Sequence, residues 1–125
     1  MLAASGYMIG FTGFLGMSKR AGPTIAALKR LFDANDGSGG AGVATLTLDR
    51  IMLETDAPFM APDKAWLPTA TGLGGRKNEP ATMPAVCRAF AQAIGADEVT
   101  VAQASTANAR RFFGLAERSA VVYRS

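Results

Sequence analysis

Arg50-Ile51-Met52-Leu53-Glu54-Thr55-Asp56-Ala57-Pro58 decides how the rest of the chain is read. Ile51, Met52 and Leu53 make an unbroken apolar run of the kind found in short strands buried on both faces, which is the habit of parallel sheets. Two carboxylates follow, and then Pro58, which has no N–H to give a ladder and so marks the strand's end. In parallel α/β folds the side chains at the carboxyl ends of strands face the ligand, and Asp56 stands at that end. A period of two puts Asp56, Glu54 and Met52 on one face and Thr55, Leu53 and Ile51 on the other. An Asp before Ala-Pro is equally ordinary turn chemistry, so the residues alone leave a ligand-facing carboxylate and a turn cap side by side.

Working upstream, Tyr7-Met8-Ile9-Gly10-Phe11-Thr12-Gly13 predicts a first strand, rich in aromatic and β-branched residues, with glycines where backbone or ligand must come close. The loop from Phe14 to Gly22 carries Lys19 and Arg20. Pro23 suits the first turn of a helix continuing to Asp33, with Ile25, Leu28, Leu31 and Phe32 as its buried stripe. Strand, helix and strand make a βαβ unit, whose strands run parallel and whose crossover is nearly always right-handed. Asn35 to Gly42 interrupts it with the composition of a flexible insertion. No helix opens directly after this loop and no Gly-Lys-Ser/Thr follows, which argues against a phosphate cradle.

Downstream, Phe59 to Lys77 is a long connection placed to form part of an active-site rim. Pro84 opens a helix to about Ile94, with Gly95 as its cap. Asp97-Glu98 starts a short helix, and Ser105 or Thr106 caps a last one ending at Gly114. Phe112, Phe113 and Leu115 are expected in the core. Asn108-Ala109-Arg110-Arg111 reads as a solvated helix face, and residues 116–125 as a loose tail.

Composition sets the limits. The chain has 125 residues, 49% hydrophobic, with a formal charge of +3 and a pI near 9.4. One globular unit with a real core fits this length. No run approaches the roughly 18 apolar residues of a membrane span, and the first residues lack the pattern of a signal peptide. A single cysteine excludes an internal disulfide and fits a reducing compartment, with cytoplasm the default. Cys87 reads as plain core. The sequence holds no histidine, so an imidazole ligand, a Ser-His pair and a histidine base are all excluded. Any metal bound by this chain would be held by oxygen ligands.

Glu54-Thr55-Asp56-Ala57-Pro58, Arg76-Lys77-Asn78-Glu79-Pro80 and Asn108-Ala109-Arg110-Arg111-Phe112-Phe113-Gly114-Leu115, preceded by Gly10-Phe11-Thr12-Gly13, resemble successive signatures of the TatD family of metal-dependent deoxyribonucleases. The resemblance covers nearly the whole chain. It implies an α/β fold of the (β/α)₈ type, which typically needs about 250 residues, so residues 1–125 look like the carboxyl-terminal part of such a barrel: the last two βα units and closing helices. The family's His-x-His pair, its glutamate and its two later histidines would lie upstream.

The resemblance further implies a two-metal site for divalent ions (Mg²⁺, Mn²⁺ or Zn²⁺) and a DNA substrate. Asp56 matches the aspartate that ligates an ion and orients or deprotonates the attacking water. Glu54 would support it from one pleat deeper, about 7 Å along the strand. Arg76, Asn78 and Glu79 match the family's loop motif, either touching substrate or clasping the loop to the barrel rim. Lys19 and Arg20 are candidate phosphate contacts. One aspartate does not hold two ions some 3.5–4 Å apart, so the chain is expected to be inactive alone. Two alternatives stay open: another amidohydrolase-like metal hydrolase, which Arg-x-Asn-Glu-Pro speaks against, and a non-enzymatic module that binds nucleic acid or a protein partner.

Overall fold

β1 (Ile9–Phe11) and β2 (Ile51–Leu53) lie side by side as a parallel pair, with Ile9 opposite Ile51, Gly10 opposite Met52 and Phe11 opposite Leu53. The structure, a computed structural model, describes residues 7–34, 45–67 and 77–115. The predicted insertion at 35–42, the tail at 116–125 and Arg76 lie outside the described residues. The apolar run of the deciding stretch is β2 itself, and Ile51 is fully buried. The first strand is shorter than its composition predicts, because Gly13 already belongs to a tight 3₁₀ turn, Gly13–Gly16.

α1 (Gly22–Asp33) joins the strands, with Pro23 in its first turn as predicted. Leu28 is buried, and Ile25, Leu31 and Phe32 pack half-buried against the same core. α2 (Met83–Ile94) is the central helix, and its small residues Ala85, Ala89, Ala91 and Ala93 let neighbours approach closely. Gly95 ends it at φ 69°, the left-handed conformation that glycine takes without steric cost. Phe90 is fully buried on α2, its ring 4.9 Å from that of Phe11 on β1 and 6.0 Å, edge-on, from that of Phe32 on α1. Sheet and both helices therefore meet at one aromatic cluster, where each pair adds about 0.5–1.5 kcal/mol beyond area burial.

α3 (Glu98–Phe112) corrects three expectations. It is one continuous helix, not two, because Ser105 caps nothing: its hydroxyl accepts from Leu53 N at 3.0 Å on β2. Nor is Asn108-Ala109-Arg110-Arg111 a solvated face. Asn108 is 2% exposed, and its Nδ2 donates to Leu48 O and Ile51 O, both at 2.7 Å, while Arg111 donates to Asp49 O at 2.9 Å. Phe112, Phe113 and Leu115 are 58%, 66% and 59% exposed and so are not core. They follow the last inward position of α3, and the rings of Phe112 and Phe113 pack against each other, edge-on at 5.1 Å.

The register explains what α3 does. Glu54 N donates to Phe11 O, so the even-numbered positions of β2 bond toward β1 and the odd ones face outward. Ser105 and Asn108 thus satisfy Leu53 N and Ile51 O on the strand's outer edge, which would otherwise be left bare.

Candidate functional site

Both strands end toward the same side, and the segments that follow them pack together there. Residue 13 must be glycine for this: a Cβ at that position would stand 2.0 Å from Met60 O. A Cβ on Gly16 would come within 2.6 Å of Pro62 Cβ. Asp63 N donates to Gly16 O at 2.8 Å, and Asp63 Oδ2 accepts from Ser18 N at 2.8 Å and from the Ser18 hydroxyl. Those Ser18 bonds, side chain first, hold the Asp63 carboxyl below the usual aspartate range, with Lys19 adding a small pull in the same direction. Lys19 and Arg20 sit exposed in the turn tied down by this contact.

Asp56 is exposed, with φ 56°, a left-handed backbone that few residues other than glycine adopt and that Asp tolerates. The turn, rather than strand alternation, therefore sets where its carboxylate points. The two-residue period stops at Glu54, whose N–H makes the last rung to β1. The Glu54 side chain reaches back over β1, its Oε1 3.5 Å from where a Cβ on Gly10 would stand. Asp56 O accepts from Phe59 N at 2.8 Å, closing the turn, and Ala57 N donates to Thr55 Oγ1 at 3.4 Å.

Asn78 braces this turn from the far side. It is 3% exposed, and its Nδ2 donates to Thr55 O and Phe59 O, both at 2.6 Å. Its Oδ1 accepts from Glu79 N at 3.0 Å and Thr82 Oγ1 at 2.6 Å, while its own backbone N–H donates to Pro58 O at 3.0 Å. Both polar atoms of the amide are engaged within the protein. Glu79 is exposed at the start of the following turn, Pro80–Thr82.

The structure thus brings Glu54, Asp56, Asn78 and Glu79 to one end of the sheet, beside the turn that carries Lys19 and Arg20. It does not bring together a metal cage: among the described residues no three of His, Cys, Asp and Glu cluster to hold an ion. A cavity of about 300 Å³ opens alongside, lined by Phe11, Thr12, Phe14, Thr24 and Met60 among others. A larger one, about 500 Å³, lies elsewhere, between α2 and α3 over the outer edge of β2, lined by Leu53, Met83, Cys87, Ala102 and Ala109 among others. It is an apolar groove between helices, with none of the carboxylates at the sheet's carboxyl end. Burial, and then the Glu98 charge, push the Cys87 thiol up, which disfavours the thiolate.

Sequence reasoning missed Ser105 and Asn108. The signal was their spacing from Val101, which places all three on one stripe of α3 and a polar pair where an apolar face is needed.

The sequence matches the family described as "TatD related DNase" over residues 2–114. Curated relatives include the "3'-5' ssDNA/RNA exonuclease TatD" of Pectobacterium atrosepticum, 33% identical over 113 residues that make up 90% of this chain and 36% of the relative. The proteins of the same name from Citrobacter rodentium, 30% identical over 116 residues (92% and 36%), and Erwinia tasmaniensis, 33% over 113 residues (90% and 36%), are similar. The chain spans about a third of the length of these relatives. With the site's motifs falling inside the matched region, the chain belongs to the TatD family of DNases.

Proposed function

We propose that this chain forms the carboxyl-terminal part of a TatD-type (β/α)₈ barrel that hydrolyses phosphodiester bonds in single-stranded nucleic acid, DNA first, in the cytoplasm. β1 and β2 are its last two strands, and residues 1–125 its final two βα units with closing helices. Asp56 is the catalytic carboxylate, which holds the attacking water and takes its proton. It would also lend one oxygen ligand to a divalent ion (Mg²⁺, Mn²⁺ or Zn²⁺), which would acidify a bound water, with the other ligands coming from the rest of the barrel. Glu54 sits behind it, Arg76 and Glu79 border the substrate path, Asn78 fixes the loop, and Lys19 and Arg20 meet phosphates.

One observation carries the reading: an exposed aspartate in a left-handed turn, at the carboxyl end of a parallel pair, on a loop locked from two sides. A carboxylate that must meet substrate needs this combination of access and rigidity. The test is to co-express the chain with the segment of the Pectobacterium relative that precedes the matched region, and to follow cleavage of a single-stranded oligonucleotide with added Mg²⁺ or Mn²⁺. The chain alone should not cleave, the assembly should, and Asp56→Asn should remove the activity by about 10³-fold or more while leaving the fold intact. An Asp56→Asn assembly as active as the unaltered one would remove Asp56 from the site. Cleavage by the chain alone would overturn its incompleteness.

A further inference from the structure

Phe59 is 67% exposed, more than any other large apolar side chain among the described residues. Exposed apolar residues are common and by themselves mean little. This one differs in how it is held. Its N–H donates to Asp56 O at 2.8 Å, its carbonyl accepts from the Asn78 amide at 2.6 Å, and the peptide before it is fixed by Asn78 N donating to Pro58 O at 3.0 Å. Phe112 and Phe113, by contrast, pack against each other. Among the described residues no ring pairs with Phe59. Met60, also exposed, continues the surface, with its backbone in the left-handed region at φ 53°.

Charge on the surrounding segments is mixed. Lys19, Arg20 and Lys77 are exposed, but so are Glu54, Asp56 and Glu79. Among the described residues the charges at this end are thus balanced, and a second force can add to the hold that Lys19 and Arg20 give. An exposed aromatic side chain on a backbone tied to the Asp56 turn offers one, since every base has a π-face and stacking on an aromatic side chain is sequence-tolerant.

We infer that Phe59, extended by Met60, is a base-stacking platform that seats an unpaired base next to Asp56, and that it confines this surface to single-stranded nucleic acid. Duplex DNA keeps its bases stacked on one another and has none to offer. The inference rests on the proposed nuclease reading for the role of Asp56, but not for the platform's existence.

The test measures binding of the full 125-residue chain, with EDTA present, by fluorescence anisotropy. The probes are a labelled thymidine oligonucleotide and an abasic one of the same length and charge. The unaltered chain should bind the thymidine strand about tenfold more tightly or better, the scale of one stacked base. Phe59→Leu should bring the two affinities together without changing the abasic one. Phe59→Tyr should keep the preference and Phe59→Trp should strengthen it, so the test survives a leucine variant that does not fold. Equal affinity of the unaltered chain for both probes, no binding at all, or a preference that persists in Phe59→Leu would overturn the platform. Base preference without cleavage by the completed assembly would leave the platform standing and sink the nuclease reading. Cleavage without base preference would do the reverse.

Discussion

Asp56 was legible in the sequence both as a residue at a strand's end and as turn chemistry before Ala57-Pro58, but not as to which of the two aims its carboxylate. Counting by twos along Met52, Glu54 and Asp56 assumes the strand continues, whereas pairing stops at Glu54 and a left-handed backbone takes over. Pro58 announces the strand's end locally, but the geometry of the turn is also braced by Asn78, which is distant in sequence. The same amide yields a prediction. Asn78→Ala strands two part-buried carbonyls, those of Thr55 and Phe59, and leaves the Thr82 hydroxyl without that acceptor. It should lower stability by about 1–3 kcal/mol in urea unfolding. In the completed assembly it should also reduce cleavage, since Asp56 loses its brace. Gly13→Ala meets a backbone oxygen rather than a flexible side chain. It should cost about 1–3 kcal/mol in the same measurement, whereas Gly22→Ala, where a Cβ meets nothing within 4 Å, should not.

At the scale of elements, β2, α1 and α2 could be read directly, since Ile51-Met52-Leu53, Pro23 and the Pro84–Gly95 pair carry local signals. α3 could not, because what decides it is the edge of a strand some 50 residues earlier: Leu53 N reaches Ser105, and Ile51 O reaches Asn108. Ser and Thr midway along a helix look like caps until that edge is known. The start of α3 makes a test in acid. Asp97 accepts from Thr100 N at 2.9 Å and from the Thr100 hydroxyl, which hold its carboxyl below the usual aspartate range. A folded pKa below the unfolded one gives stability that is present above the unfolded value of about 3.9 and is lost as pH falls through the lowered value. Asp97→Asn, which keeps a capping oxygen but no charge, should therefore flatten the melting temperature below about pH 4 relative to the unaltered chain. Equal acid dependence in both would move the effect elsewhere.

At the scale of the molecule, no strand among the described residues pairs with the outer edge of β1, and exposed Phe112, Phe113 and Leu115 lie at and beyond the end of α3. The isolated chain should self-associate, which light scattering after size exclusion would show, and a monodisperse monomer would count against the barrel reading. The outer edge of β2 makes a sharper check. In the isolated chain, hydrogen exchange of the Leu53 amide should quicken on Ser105→Ala. In the completed assembly a neighbouring strand can take that bond, and the same substitution should leave the amide protected. The sequence could not foretell that a helix occupies this edge, since Ser105 and Asn108 bear no mark of what they touch. The glycines at 13 and 16 have a further consequence. Because one loop is seated flush in the other, with no side chain between them as a cushion, the two must travel as a single plate. Evolution or engineering that sought a wider mouth here would have to recut both together, and would find it easier to vary the opposite wall.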